Sequence, residues 1–297
     1  MIKHWLEAFR LRTLPLALSS IIMGGFLAVK ANAFSWDIFG LSILTTVFLQ
    51  VLSNLANDYG DSVHGADSGD RQGPQRAVQT GAISATAMKR AMVLFAGLSL
   101  VAGLALLYVA FADQLIYVSI FLGVGLLSIY AAITYTSGKN PYGYMGLGDI
   151  SVFLFFGLVG VLGSYFLYTR SFDTWAVLPA ISCGLFATGV LNVNNIRDIE
   201  SDKKAGKRSI PVRIGRKRAV YYHWVLLLGG VLAALCFVLI NYQSPVQFLW
   251  CGTIPLFVIN ARAVFFKTSA TELDPYLKQL ALSTLIFVVS FGIGMLF

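Results

Sequence analysis

The sequence predicts an all-α membrane protein with nine transmembrane helices, and three observations support that prediction. Of the 297 residues, 57% are hydrophobic and only 12% are charged, a more apolar balance than soluble domains have. Nine stretches are long and apolar enough to cross a bilayer as helices. The Lys and Arg residues are concentrated in every second loop, as a multi-pass topology requires.

The nine predicted spans leave little of the chain outside the membrane, so residues 1–297 are predicted to form a single polytopic domain. The first span is not a signal peptide, because no small-residue cleavage site follows it and many further spans do. The predicted spans cover residues 14–34, 38–56, 91–111, 114–134, 150–168, 174–193, 220–240, 246–265 and 277–297.

The distribution of positive charge predicts the orientation of the chain. All but two of the 22 Lys and Arg residues lie before the first span or around the loops after spans two, four, six and eight. Lys30 and Arg170 are the exceptions. The positive-inside rule therefore predicts a cytoplasmic N-terminus and an outer C-terminus. Because topology accounts for the net charge of +8, that charge does not indicate a nucleic-acid partner.

Two polar motifs give the strongest functional signal. The first motif, residues 54–67, follows the second span, and the second motif, residues 194–208, follows the sixth. Matched Asn and Asp positions are separated by a constant 141 residues, as Asp61 and Asp202 are. The match suggests a parallel internal repeat, which would place a shared site between its halves.

Residue type and spacing in both motifs favour a divalent-cation site. Asn57 and Asp61 lie four residues apart, as do Asp198 and Asp202, and residues so spaced share one face of a helix. Their oxygens suit hard cations, Mg2+ first, which would in turn hold a diphosphate. Both motifs fall on the predicted cytoplasmic side, as loops facing a central cavity. The alternative, solvated loops whose Asp and Asn cap helices, leaves seven carboxylates in the two loops unexplained.

Basic residues accompany both motifs and are suited to neutralising diphosphate oxygens. Lys139 is the lone cation of a Gly/Pro/Tyr-rich loop, residues 135–144, which we predict to be a lid over the site. The other basic candidates are Arg71 and Arg76 after the first motif, and Lys203, Lys204, Lys207 and Arg208 after the second.

The pattern Asn57-Asp58-x-x-Asp61 with Asp67, together with Asp198-x3-Asp202, resembles the two aspartate-rich motifs of the UbiA superfamily of intramembrane prenyltransferases. The resemblance covers essentially the whole chain. Gly65 stands where many relatives have Asp. Three segments are most similar to the menaquinone-pathway branch, whose acceptor is 1,4-dihydroxy-2-naphthoate: residues 10–15, 142–149 and 194–202.

The resemblance implies a reaction in which two Mg2+ ions clamp a polyprenyl diphosphate and the naphthoate ring attacks the allylic cation. Loss of CO2 then gives demethylmenaquinol. The implied setting is the bacterial inner membrane, with the active site toward the cytoplasm. The implied metal ligands are Asn57, Asp61, Asp67, Asp198 and Asp202. The implied catalytic residues are Asp58, Asp198, Asp202 and Lys139. The implied substrate contacts are Arg12, Asn54, Arg71, Arg76, Tyr135, Lys139, Asn194, Asn195, Arg197 and Lys203.

Two alternatives remain open at this stage. A different aromatic acceptor, such as 4-hydroxybenzoate, would keep the same chemistry. An ion-coupled transporter would also use carboxylates in a parallel repeat, but transporters place them near the bilayer midplane. For the enzyme, Asp61→Asn and Asp202→Asn are expected to abolish turnover without unfolding the protein, because these acids should repel each other when no metal is bound.

Overall fold

The computed structural model describes residues 2–64 and 76–297, and these residues form an all-helical bundle. Within those ranges nine helices are long and apolar enough to cross a membrane, which confirms the predicted number of spans. In chain order the spans are Ile2–Lys30, Trp36–Val63, Ala85–Phe111, Leu115–Thr134, Gly148–Thr169, Thr174–Arg197, Ile210–Ile240, Pro245–Phe266 and Ala270–Met295.

Two breaks shape the ends of these helices on the motif side. A short helix, Ile2–Phe9, precedes the membrane-crossing part of span one, Leu14–Lys30, and Arg10 between them has a left-handed backbone, with φ of 48°. After span six, a second short helix, Ile199–Lys204, contains the middle of the second motif, including Asp202.

Span two differs from its predicted bounds in a way that matters for the site. It continues as a helix to Val63, well past the predicted end at residue 56. Hydropathy marks only the apolar part of a helix, so the polar final turns were predicted as a loop. The described part of the first motif is therefore helical, and its four-residue spacing does place side chains on one face.

Polar caps explain where several helices begin. The Ser84 hydroxyl accepts the N–H of Ala87 at the start of span three. Ser269 and Glu272 form a reciprocal capping box at the start of span nine. Such caps satisfy N–H groups that have no partner within the helix.

The core lies mainly in the second half of the bundle. Phe186 of span six stacks on Phe257 of span eight with ring centroids 4.3 Å apart, and Phe287 of span nine packs edge-on against Phe186. A smaller cluster packs the N-terminal helix, through Ala8, against spans two and three. These two clusters hold the two motif-bearing helices in place.

A cavity of about 400 Å³ lies among spans one to five. Its polar end is formed by Asn54, Asn57 and Tyr135, and its remaining lining is mostly apolar. Phe155 and Phe156, in a π-helical stretch of span five (Phe153–Gly163), contribute to the wall. The cavity therefore leads from the first motif into the apolar depth of the bundle.

Candidate active site

Asp61 of the first motif is anchored through both of its carboxylate oxygens. It lies buried near the end of span two, where its Oδ2 accepts a hydrogen bond from the Arg76 guanidinium. Its Oδ1 accepts the hydroxyl of Tyr144 at 2.9 Å. These two donors orient the Asp61 carboxylate within the site.

Asp58, which the resemblance implies to be catalytic, makes structural contacts with the backbone. Its two oxygens accept the backbone N–H groups of Ala77 and Val78, each at 3.1 Å. Satisfying buried N–H groups in this way is a structural function. Asp58 therefore anchors the chain that returns from the first motif, at the two residues that follow Arg76.

The two asparagines of the first motif border the cavity. Asn54 donates to the Phe9 carbonyl at 2.9 Å and to the Thr13 hydroxyl at 3.0 Å, so it ties span two to the start of span one. Asn57 is half-buried, and its Oδ1 accepts the Thr136 hydroxyl at 3.2 Å. Asn57 lies four residues before Asp61 on the same helix, so the two side chains share one face. Of the two asparagines, Asn57 is therefore the better placed to share a ligand with Asp61.

Asp198 is held by an arginine at its side. The Arg197 guanidinium donates to both oxygens of Asp198, at 2.8 and 2.7 Å, and to Asn194 Oδ1 at 2.9 Å. It also donates to Asp274 at the start of span nine, which in turn accepts Arg12 at 3.2 Å. Arg197 is thus fully engaged within the protein, whereas the more exposed Arg12 makes one contact to Asp274.

Asp202 lies in the short helix of the second motif and faces a buried lysine. The Lys207 Nζ is 3.3 Å from Asp202 Oδ1, and the Ser209 hydroxyl lies 3.5 Å from Oδ2. The chain returns to this point because Gly206 adopts φ of 73°, a left-handed conformation that glycine tolerates, and the Lys207 N–H bonds the Asp202 carbonyl at 2.9 Å.

Acids from both motifs influence the buried ionisable groups around Lys207. Burial raises the pKa of Asp202; Lys207 opposes that shift, while the charges of Asp198 and Asp61 add to it. Burial alone would lower the pKa of Lys207, but Asp202, Asp61, Tyr135 and Asp198 together raise it above its ordinary value. One ammonium group therefore lies within electrostatic range of acids from both motifs.

The cation pairs also revise an expectation from the sequence. Asp61 and Asp202 were expected to repel each other in the metal-free protein. The charge of Asp61 does disfavour ionisation of Asp202, but each acid also has its own buried cation, Arg76 for Asp61 and Lys207 for Asp202. Removing either carboxylate would leave a buried cation without its counter-ion, so we now expect a loss of stability as well as of activity.

The predicted lid loop does lie against the first motif. The Thr136 hydroxyl donates to the Ala56 carbonyl at 3.0 Å, and His64 Nε2 lies 3.0 Å from the Gly138 carbonyl oxygen. Tyr135 lines the cavity, and burial raises the pKa of its hydroxyl. Lys139 is exposed at the tip of the loop and, within the described residues, makes no ion pair.

The remaining predicted residues fall into three groups. Asn195 is buried, and its Oδ1 has no hydrogen-bond partner among the residues that the structure describes. Lys203 is exposed beside the second motif. Asp67 and Arg71 lie outside the described residues.

Sequence reasoning missed two residues of this site. Tyr144 contacts Asp61, yet its only signal was membership of the Tyr-rich loop. Asp274 accepts both Arg12 and Arg197, yet in the sequence it resembles any acid in the first turns of a helix. A contact across 262 residues leaves no local trace in the sequence.

The donor set fits Mg2+ bound together with a diphosphate. Over residues 2–64 and 76–297, no three Asp, Glu, His or Cys side chains converge into a protein cage for a metal. Mg2+ rarely needs one, since it commonly takes one or two carboxylates and completes its shell with water and substrate phosphates. Asn57 and Asp61 on one side, and Asp198 and Asp202 on the other, provide such oxygens.

Known proteins match this chain over nearly its full length. The 1,4-dihydroxy-2-naphthoate octaprenyltransferase of Haemophilus influenzae is 45% identical over 297 residues, which cover 99% of this chain and 96% of that protein. The 1,4-dihydroxy-2-naphthoate octaprenyltransferase of Escherichia coli K12 is 44% identical over 290 residues, which cover 98% and 94%.

Solved structures show the same fold. A UbiA homolog from Archaeoglobus fulgidus, bound to DMAPP and Mg2+, superposes with a TM-score of 0.65 at 17% identity, covering 98% of each chain. The apo UbiA homolog from Aeropyrum pernix K1 gives 0.67 at 17% identity, covering 100% of this chain and 98% of that one. The UbiA prenyltransferase family pattern matches residues 17–285. By sequence and by fold, this chain belongs to the UbiA prenyltransferase family.

Proposed function

We propose that this protein transfers a polyprenyl group from polyprenyl diphosphate to 1,4-dihydroxy-2-naphthoate, with loss of CO2 and diphosphate, giving demethylmenaquinol. One observation carries the proposal: Tyr144 and Lys207 link the acids of the two motifs, and Asn54 and Asn57 of the first motif line an apolar cavity. The full-length relatives that act on this naphthoate, at 44–45% identity, support the choice of acceptor.

We assign the metal site to the facing oxygens of the two motifs. Asn57 and Asp61 would hold one Mg2+, and Asp198 and Asp202 a second, with Asp67 as a further ligand of the first. The Archaeoglobus relative bound to DMAPP and Mg2+ supports a divalent metal. Bound Mg2+ would neutralise the diphosphate and so make it a better leaving group.

The protein's own cations add to that neutralisation. Arg76 and Lys207 are buried and face the acids of the site, so they would contact diphosphate oxygens at its inner edge. Lys139 and Lys203 are exposed and would reach the diphosphate from outside, with Arg71 assigned beside them. Fixed Lys and Arg donors would thus stabilise the negative charge that develops on the leaving diphosphate.

The cavity provides the place for the prenyl chain. Its walls are mostly apolar, and Leu104 and Leu126 line it while remaining 44% and 48% exposed on the outer surface of the bundle. Residues that line the cavity and are also exposed on the outer surface mark an opening between spans three and four. A long prenyl tail would therefore run from the motifs toward lipid while the reacting end stays shielded from water.

The acceptor must lie between the prenyl carbon and a positive group. The ring carbon that bears the carboxylate attacks the prenyl carbon and forms the new C–C bond. The prenyl C–O bond breaks, and the electron pair of that C–O bond leaves with diphosphate. The C–C bond to CO2 then breaks and returns its electrons to the ring, which restores aromaticity. We assign the carboxylate to Arg12, because Arg197 is fully engaged by Asp198, Asn194 and Asp274.

The distribution of Lys and Arg supports an active site on the cytoplasmic face of a bacterial inner membrane. Both motifs lie at the ends of spans that carry the basic loops. Polyprenyl diphosphate would then enter from the inner leaflet, and the acceptor from the cytoplasm.

The test is a Mg2+ titration of prenyl transfer by the purified protein in nanodiscs. Activity should be lost in EDTA, and Asp202→Asn should retain less than about 1% of it, in line with the loss of an essential charge in a transition-state site. Asp113→Asn is the matched control, since Asp113 is 62% exposed and pairs with Arg170 at the opposite end of the bundle. Full activity in EDTA would contradict the metal site.

A further inference from the structure

We propose that Tyr144 is the positioning residue that fixes the two aspartate motifs relative to each other. The inference rests on the proposed function, because it concerns the geometry of that metal site. Tyr144 belongs to neither motif, but it contacts both: Asp61 of the first, and Lys207 and Arg208 of the second.

The contact with the first motif is made by the side chain. The Tyr144 hydroxyl donates to Asp61 Oδ1 at 2.9 Å, while Arg76 donates to the other oxygen. These two donors together set the rotation of the carboxylate. The Tyr144 ring also lies beside the His64 imidazole, with centroids 5.5 Å apart, so the end of span two is held at two points.

The contact with the second motif is made mainly by the backbone. The Arg208 N–H donates to the Tyr144 carbonyl at 2.8 Å. The Lys207 ammonium lies 6.0 Å from the centre of the Tyr144 ring, within the range of a cation–π interaction. Lys207 is the partner of Asp202. Tyr144 therefore contacts Asp61 directly and is linked to Asp202 through Lys207.

The loop is built so that this bridge is stiff. The Tyr142 hydroxyl is anchored to the Ala131 carbonyl and to Ser151, each at 3.0 Å, which fixes the loop to spans four and five. Gly146 has φ of 81°, and a Cβ there would collide with the Arg208 carbonyl. A residue with a side chain would thus push the loop off the second motif.

Groups that hydrogen-bond a ligating carboxylate orient it, and their loss weakens metal binding by about 10- to 100-fold. Tyr144→Phe removes the hydroxyl but keeps the ring and the backbone carbonyl. We therefore expect the lower end of that range, about a 10-fold rise in the dissociation constant of the metal. The KM for Mg2+ should rise in parallel, while kcat at saturating Mg2+ falls much less.

The experiment measures Mn2+ binding by EPR, with the full-length protein in nanodiscs and the unreactive analogue geranyl S-thiolodiphosphate present. Tyr130→Phe is the matched control, because Tyr130 is 65% exposed on the outer face of span four. The proposal predicts weaker binding, by about 10-fold, for Tyr144→Phe alone.

The other outcomes separate this inference from the proposed function. If the wild-type protein and Tyr144→Phe bind Mn2+ with affinities within about two-fold, well below the expected effect, Tyr144 does not position the site and the proposed function stands. If Tyr130→Phe weakens binding equally, the effect is not specific to the bridge, and the inference is wrong. If the wild-type protein binds no Mn2+, the metal site itself fails and the inference fails with it.

Discussion

Lys207 is predicted to stabilise the metal-free protein by neutralising the acidic site, and Lys207→Met tests this. The lysine is 7% exposed, Asp202 is 5% exposed, and their charged atoms are 3.3 Å apart. At that distance the attraction is about 5 kcal/mol with an effective dielectric constant of about 20. Leaving one partner of a buried pair alone destabilises proteins by about 3–5 kcal/mol.

We expect the lower end of that range for Lys207→Met, about 3 kcal/mol, because Asp202 can relieve the strain by binding a proton. For a chain of this length that corresponds to a fall of roughly 6 °C in the melting temperature. Mg2+ with a prenyl diphosphate analogue should restore much of the loss, because the divalent cation takes over the neutralisation.

The assay is thermal unfolding in detergent, with and without Mg2+ and the analogue. Lys203→Met is the control, since Lys203 is exposed in the short helix that carries Asp202 and should leave the metal-free melting temperature unchanged. The reasoning is refuted if metal-free Lys207→Met melts within about 1 °C of the wild-type protein, since that is far below the shift that a broken buried pair produces.

Three further predictions address the acids and the cavity. Burial raises the pKa of Asp202 above its ordinary value of 3.8, so the folded protein keeps this proton to higher pH than the unfolded chain does. Protonation of Asp202 should therefore contribute stability to the metal-free protein as the pH falls through the raised pKa of this carboxyl, and it should weaken Mg2+ binding. Melting curves and Mn2+ titrations over pH would show this, and a metal affinity independent of pH in the acid range would count against it. Asp58→Asn should lower the free energy of unfolding by about 1–3 kcal/mol, because one backbone N–H at Ala77 or Val78 loses a charged acceptor. The KM for Mg2+ should stay unchanged. A large rise in that KM would instead make Asp58 a ligand. Gly103→Leu should fill part of the cavity, since a Cβ at this position would be 3.9 Å from the nearest atom of Thr45 and so fits without a clash. The variant should favour geranyl diphosphate over long prenyl donors, as measured by kcat/KM. An unchanged donor preference would place the prenyl tail elsewhere.

The helical bundle could be predicted from the sequence because each helix that crosses a membrane needs a long run of apolar residues. Nine apolar stretches and the placement of basic residues were enough to number the spans. Hydropathy could not place the end of span two, since the polar turns up to Val63 are held by tertiary contacts, among them Asp58 with Ala77.

The site was predictable as a set of residue types and much less so as a set of contacts. Spacing identified Asp61 and Asp202 as acids on helix faces. It could not show that each is paired with a buried cation, because those pairs depend on how the returning chain folds back. For the same reason spacing gave no sign of the backbone contacts of Asp58 or of the contact between Tyr144 and Asp61.

The central claim is a metal-dependent, decarboxylating prenyl transfer to 1,4-dihydroxy-2-naphthoate. The most direct measurement offers the purified protein a polyprenyl diphosphate and Mg2+ with equal amounts of 1,4-dihydroxy-2-naphthoate and 4-hydroxybenzoate, and identifies the products by mass spectrometry. The account predicts a prenylated naphthoquinol that lacks the carboxylate and does not form in EDTA. Prenylated 4-hydroxybenzoate as the main product, or a naphthoate product that keeps its carboxylate, would contradict it.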